Sequence, residues 1–324
     1  MTVVFMPTYQ TIFGPVPSRR FGRSLGVDLT PMKTCCFDCV FCQLGSTRHP
    51  TLERREYVPV QTVKEEILRW RDEGGSADFA TLSGSGEPTL HSGFGDVLRF
   101  LKTELPCPAV LLTNGSLLYL PEVRAAAVEA DVAKLSLSAW DADSFRRVNR
   151  PHPDLDFDRS LAGMQAFRTA FAGRLWLEVF LVAGLNDAPD QVARIAELAA
   201  TLAPDKIHLN TAVRPPAEST VQPVPQDRME RLADRFRPRA EVIADFSPRP
   251  GSGVAVNESA ILDMLRRRPC TARQIADVFG MHVNEVAKYT GHLLRAGRIQ
   301  SLPRGDQIYY EASRAGSPSA PESE

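Results

Sequence analysis

The chain has 324 residues, 43% hydrophobic and 24% charged, with a net charge of -1, which is enough apolar material for a large core and, as a prior, two domains. No stretch reaches the length of a membrane span, because the most apolar run, Leu175 to Leu185, is broken by Glu178, and so balanced a charge gives no global attraction to nucleic acid or an anionic membrane. Six cysteines without a leader sequence point to a reducing, cytoplasmic setting, and six lysines against thirty-two arginines leave few amines for Schiff-base chemistry.

In chain order, a strand over Ser24 to Leu29 comes first and runs into Met32-Lys33-Thr34-Cys35-Cys36-Phe37-Asp38-Cys39-Val40-Phe41-Cys42. Cys35, Cys39 and Cys42 stand at C-x3-C-x2-C spacing. Three soft ligands on one short loop suit an iron–sulfur cluster. A structural zinc wants a fourth ligand, and the nearest beyond the loop, His49, lies seven residues after Cys42. A cube held by three cysteines keeps one iron free of protein and able to chelate a small molecule. Cys36, Cys39 and Cys42 also form a C-x2-C-x2-C series, so ligand geometry leaves both registers open.

A helix follows near Val63 to Arg71, then a strand at Phe79 to Leu82 leading to Ser83-Gly84-Ser85-Gly86-Glu87-Pro88. The next helix sets Phe94, Val97, Leu98 and Leu101 at i, i+3, i+4 and i+7. A strand at Ala109 to Leu112 precedes Thr113-Asn114-Gly115 and a helix over Pro121 to Ala130. A fourth strand, Ala133 to Leu137, brings Ser136 and Ser138, with helical character around Phe157 to Ala170. The fifth, Leu175 to Val182, reaches Gly184-Leu185-Asn186-Asp187, and its helix carries Val192, Ile195, Leu198, Ala199 and Leu202 on one face. The sixth, Lys206 to Leu209, ends in Asn210 and Arg214. Six β-then-α units imply an α/β fold around a parallel sheet, as a partial barrel or a doubly wound sheet. All the polar motifs follow the C-terminal ends of strands, where a parallel barrel keeps its functional loops. That favours a partial (β/α)6 TIM-type barrel over residues 1–245.

Beyond it, residues 246–257 are rich in Pro, Gly and Ser and read as a linker. Over 258–312, Ile261, Leu262 and Leu265 mark a helix, Thr271 caps a second with Ile275 and Ala276, and a third carries Val286, Tyr289, Leu293 and Leu294. A hairpin about Arg304-Gly305-Asp306 closes a unit that resembles a winged helix. Its third helix offers Lys288, His292 and Arg295 beside Glu285, thin for phosphate binding, so DNA binding is not expected and RNA docking or packing is. Residues 313–324 read as a disordered tail.

With these residues in hand, the chain over about 10–245 resembles the radical S-adenosylmethionine (SAM) superfamily. The resemblance is carried by Cys35-x3-Cys39-x2-Cys42 after the first strand, Phe41 before the last cysteine, and Gly84-Ser85-Gly86-Glu87-Pro88 after the second strand. It implies that Cys35, Cys39 and Cys42, rather than the Cys36 set, hold a [4Fe–4S] cluster whose open iron binds the amino and carboxylate groups of SAM. One electron then gives methionine and a 5′-deoxyadenosyl radical that abstracts hydrogen from a substrate. By the same resemblance Ser85, Gly86 and Glu87 line the methionine end, while Asn114, Ser136 and Ser138 meet ribose or carboxylate. Val182 and Gly184 floor the adenine, with core packing an equal reading for Val182. An external electron donor such as flavodoxin or ferredoxin is implied.

A narrower likeness lies in Gly14 to Asp28, Phe145 to His152 and Asn210 to Pro216, which look like a branch related to wyosine synthases, enzymes that modify a tRNA guanosine. This chain has no cysteine before Cys35, where those enzymes hold a second cluster, so the likeness is to the branch and not to its reaction. The expected substrate is a tRNA nucleoside or a small anionic metabolite. Arg19, Arg20, Arg23, Arg147, Arg150, His152 and Arg214 are the candidate anion contacts, because guanidinium forks match phosphate and carboxylate; solvated surface or internal ion pairs are the competing reading for each. Two rival functions remain, an iron–sulfur redox sensor with a DNA-binding winged helix and an activase that places a radical on a protein partner.

Overall fold

The computed structural model describes residues 9–18, 21–212, 216–218, 220–243, 258–279, 283–304 and 307–313. Arg19, Arg20, Arg214, the expected linker and the expected tail from 314 onward lie outside them. The chain divides into two compact units, Met1–Phe246 and Ser247–Glu324.

In the first unit, strands β1 (Ile12–Ser18), β2 (Gly22–Val27), β3 (Phe79–Leu82), β4 (Ala109–Leu112), β5 (Val132–Ser136), β6 (Arg174–Leu181), β7 (Lys206–Thr211) and β8 (Glu241–Val242) form one sheet in sequence order. β1 pairs antiparallel to β2, and every later neighbour pairs parallel. A doubly wound sheet reverses its strand order at a switch point; this one never reverses, so the partial barrel is the architecture. The six expected βα units are present, with helices α1 (Val60–Asp72), α2 (Phe94–Glu104), α3 (Pro121–Ala127), α4 (Ala142–Val148), α5 (Phe157–Ala170), α6 (Pro189–Thr201) and α7 (Gln226–Ala233).

Alternation along each strand divides the core into two layers. Leu82, Leu111, Leu135, Leu177 and Leu209 pack outward in one cluster with Val63, Ile67, Val97, Leu101, Val192 and Ile195 of the helices. Inside, Phe21, Val110, Val132 and Trp176 plug the end where the strands begin, with Phe21 stacked on Trp176 at 4.9 Å between centroids. The next inward positions of β5, β6 and β7 carry a polar layer. Lys134 Nζ pairs with Glu178, both side chains 9% exposed, and Asn210 Nδ2 donates to Glu178 Oε1 at 2.8 Å. Breaking such a pair strands a buried charge, whereas replacing both members by apolar groups does not. Glu178→Leu is therefore expected to cost about 3–5 kcal/mol, and adding Lys134→Met to recover most of it, as read by urea unfolding.

His91 shows how the shell around the barrel is fixed. The ring is fully buried; Nε2 donates to the Val58 carbonyl at 2.7 Å while Nδ1 accepts from the Gly93 amide at 3.1 Å. Only the neutral ring can fill both roles, and burial holds its pKa below the ordinary 6.5. The unfolded chain then takes up a proton that the folded one refuses. Stability from this site is complete above pH 6.5 and falls as the pH drops toward the folded value. His91→Gln should flatten that part of a plot of urea midpoint against pH.

The second unit comprises α8 (Glu258–Arg267), β9 (Cys270–Thr271), α9 (Ala272–Phe279), α10 (Val283–Arg295), β10 (Ile299–Arg304) and β11 (Gln307–Ala312), with strand order β10-β11-β9. Ile261, Leu262, Leu265, Ile275, Val286 and Leu293 form its core. His292 of α10 is paired with Glu258.

Candidate functional site

The cysteine loop leaves the C-terminal end of β2 and is held from two sides. On one side it meets the loop after β3: the Lys33 amide donates to the Ser85 carbonyl at 2.7 Å, and the Glu87 amide donates to the Thr34 carbonyl at 2.9 Å. Gly86 lies so close that a Cβ there would sit 1.9 Å from the Thr34 carbonyl oxygen, so only glycine fits. On the other side the segment after α4 runs antiparallel to the loop. His152 N donates to Cys36 O at 2.9 Å, Asp38 N to Arg150 O at 3.0 Å and Val40 N to Val148 O at 3.1 Å. The helix that aims this strap begins with a reciprocal cap between Asp141 and Ser144.

Within the loop, Cys35, Cys39 and Cys42 are half-buried, whereas Cys36 is fully buried with its Sγ 2.9 Å from Ser116 Oγ. The neighbouring Cys36 is the largest influence lowering the Cys35 pKa, while burial pushes Cys36 well up. Burial, followed by the charges of Cys35 and Cys42, pushes the Cys39 thiol up as well. Three thiolates this close repel one another and call for a positive counterpart. Among the described residues no three His, Cys, Asp or Glu side chains converge on a single-ion site; a cube instead takes one cysteine on each of three irons. The soft donor set, with Cys36 turned to Ser116, fits a cluster held by Cys35, Cys39 and Cys42.

Side-chain donors face the three sulfurs. Lys33 Nζ lies 3.2 Å from Cys42 Sγ, Asn149 Nδ2 3.4 Å from Cys39 Sγ, and Asn114 Nδ2 3.8 Å from Cys35 Sγ and 3.6 Å from Cys36 Sγ. Phe41 stacks on Phe180 of β6, centroids 4.1 Å apart, in an apolar cluster with Val40, Val182 and Ala212.

The expected SAM contacts divide by what already occupies their polar groups. Ser85 donates its hydroxyl to Asp28 at 2.6 Å, and Ser138 Oγ accepts from the Phe180 amide at 2.9 Å, so both hydroxyls hold the scaffold. Glu87 is buried. Its carboxylate accepts from Thr89 Oγ1 at 2.7 Å, Thr113 Oγ1 at 2.6 Å and the Asn114 amide at 2.8 Å, and burial still raises its pKa. It joins the loops after β3 and β4. Asn114 and Ser136 line a small cavity of about 20 Å³ with Asn149, Ser160 and Met164. Val182 packs beside the cysteine loop, and Gly184, at φ +75°, has open space where a Cβ would stand.

Of the basic candidates, Arg23 needs correction. It opens β2, at the end of the parallel strands opposite the cysteine loop, where it pairs with Asp78 at 3.6 Å and bonds Ser76 at 3.1 Å. Arg23 stands four positions before Val27, the last residue of β2, and so nearly one strand length from the mouth. Arg150 lies on the strap, paired with Glu218 at 2.6 Å and within 3.8 Å of Asp38. Arg147 is exposed, 5.8 Å over the ring of Trp140, and His152 Nδ1 accepts from the Asp154 amide at 3.2 Å. Asn149, Lys33 and Asn186 were not singled out by the sequence reading. Asn186 is fully buried, donates to Ser138 O at 2.8 Å and Phe180 O at 2.9 Å, and accepts from the Val182 amide at 2.7 Å, which fixes the spacing of the β5 and β6 exits.

Residues 29–199 match the model of the Radical SAM superfamily. A Brachyspira hyodysenteriae protein named GTPase Obg is 31% identical over 293 residues, covering 89% of this chain and 43% of that protein. This chain has no G-x4-G-K-[ST] phosphate loop. A UPF0026 protein of Methanocaldococcus jannaschii is 36% identical over 215 residues, 65% of this chain and 66% of its own length. The dual-specificity RNA methyltransferase RlmN of Sorangium cellulosum is 29% identical over 210 residues, 60% of this chain and 51% of that protein. The chain thus spans from under half to about two thirds of these relatives. A match across more than half the chain, which takes in the three-cysteine loop and the glycine-rich loop locked to it, makes this protein a member of the radical SAM superfamily, whose members use a [4Fe–4S] cluster and SAM.

Proposed function

We propose that the chain is a radical SAM enzyme that holds its cluster on Cys35, Cys39 and Cys42 and abstracts hydrogen from an RNA nucleoside at the barrel mouth. The chemistry these groups supply when bound is one-electron cleavage of the SAM sulfonium to methionine and a 5′-deoxyadenosyl radical. The observation that carries the reading is the union of the two loops, in which Gly86 presses on the Thr34 carbonyl and leaves the glycine-rich backbone beside the cysteines. There the backbone of Gly86 and Glu87 is offered to the methionine end, Asn114 and Ser136 to the ribose or carboxylate, and Val182 and Gly184 to the adenine. Ser85 and Ser138 orient these elements through Asp28 and the Phe180 amide.

One relative carries the name of an RNA methyltransferase, which supports RNA ahead of a small anion. The helix and strand order of the second unit supports the winged-helix reading, and His292, already against Glu258, suits RNA docking or packing more than DNA readout. The test is 5′-deoxyadenosine formation by reconstituted, reduced protein with bulk RNA or with a small-molecule extract. Stimulation by RNA alone is expected; stimulation by the extract alone would overturn the substrate assignment.

A further inference from the structure

Every sulfur of the proposed ligand set faces a nitrogen donor from outside the ligand set: Lys33 for Cys42 at 3.2 Å, Asn149 for Cys39 at 3.4 Å and Asn114, shared between Cys36 at 3.6 Å and Cys35 at 3.8 Å. The three come from separate places, the approach to the loop, the strap after α4 and the loop after β4. Lys33 stands apart in two ways. It is the one charged member, and its backbone sits at φ +65°, a left-handed conformation unfavourable for a residue that bears a side chain. Glycine or asparagine would take that turn at lower cost.

We propose that Lys33, assisted by Asn149 and Asn114, sets the reduction potential of the cluster by hydrogen-bonding and charge-compensating its cysteine sulfurs. Reduction adds one negative charge to the cluster, and donors aimed at the sulfurs stabilise the more negative state. They raise the potential, making the cluster easier for a biological reductant to charge at some loss of reducing power toward SAM. Lys33 acts through Cys42 and is a positioning and tuning residue with no contact to substrate.

The test is a redox titration of the reconstituted cluster followed by electron paramagnetic resonance, on the full chain carrying Lys33→Gly, Lys33→Gln, Lys33→Arg or Asn149→Leu. Lys33→Gly relieves the backbone strain while removing the charge, so a purely structural role predicts an unchanged potential and equal or greater stability. Tuning predicts that Lys33→Gly and Lys33→Gln lower the reduced-to-oxidised ratio about tenfold at fixed ambient potential, a shift of about 59 mV for one electron. Asn149→Leu should shift it less in the same direction, and Lys33→Arg should stay near the parent. The same lysine variants should be reduced poorly by a flavodoxin-type donor and normally by a stronger chemical reductant. An unchanged potential in Lys33→Gly with full iron content overturns the inference, as does loss of iron in both uncharged lysine variants, which would make Lys33 a scaffold residue. The inference rests on the Cys35, Cys39 and Cys42 ligand set; if Cys36 replaces Cys35 in that set, Cys36→Ala loses the cluster and Cys35→Ala keeps it, whatever the lysine variants do.

Discussion

Cys39→Ala is expected to abolish both the cluster and SAM cleavage. Cys39 is the central ligand of the proposed three, its sulfur sits near those of Cys35 and Cys42, and the Asn149 amide is already directed at it. With two cysteines left, two irons of the cube lack protein ligands, and the loop offers no soft donor in the vacated place. Cys36 is the informative control because it is adjacent in sequence and is a thiol too. Its side chain is fully buried against Ser116, so Cys36→Ala should retain iron and cleavage and lose about 1–3 kcal/mol of stability from the broken hydrogen bond and small cavity. Because Cys39 belongs to both registers, the iron and sulfide content of reconstituted Cys36→Ala decides between them. Iron lost without Cys36 would reverse the choice of register, and iron retained without Cys39 would overturn the ligand set in either register.

Gly86→Ala is the second large effect. The added methyl would meet the Thr34 carbonyl oxygen at 1.9 Å, its carbon at 2.7 Å and Thr30 Oγ1 at 2.8 Å. None of these is the far end of a flexible side chain, so the loops must part, breaking the Lys33–Ser85 and Glu87–Thr34 backbone bonds. A displacement of about 1 Å in a site built on position costs on the order of 100-fold, and SAM affinity measured by equilibrium dialysis of the reconstituted protein should fall by that much. Gly184→Ala separates crowding from backbone conformation. Gly184 has φ +75° and nothing within 4 Å of a Cβ, so it should lose about 1–2 kcal/mol of stability and keep most of its SAM affinity. Equal losses of affinity in the two variants would remove the special role of the loop contact.

Much of this arrangement was legible in the chain. The cysteine spacing and the six βα units are local patterns, and placing polar motifs after strand ends pointed to one end of a barrel. What escaped depends on partners far apart in sequence. β1 went unread as a strand because Gly14, Pro15 and Pro17 look like a turn; its register with β2 shifts between Phe13 and Val16 to accommodate them. β8 is two residues long and makes no pattern. Glu178 was visible as a break in an apolar run, but its pairing with Lys134 spans 44 positions. Asn149 lay inside a segment noted for its likeness to other enzymes, yet its role comes from Cys39, 110 positions earlier. Arg23 was grouped with the mouth because it is close to the cysteines in sequence. Strand β2 carries the chain from one end of the barrel to the other between them.

The most direct measurement is chromatographic detection of 5′-deoxyadenosine from anaerobically reconstituted, reduced protein supplied with SAM, beside Cys39→Ala as control. The proposed chemistry predicts the nucleoside from the parent protein, with methionine in equal amount, and none from the variant. No nucleoside from parent protein whose [4Fe–4S] signal is intact would contradict it and favour a redox-sensing role for the cluster.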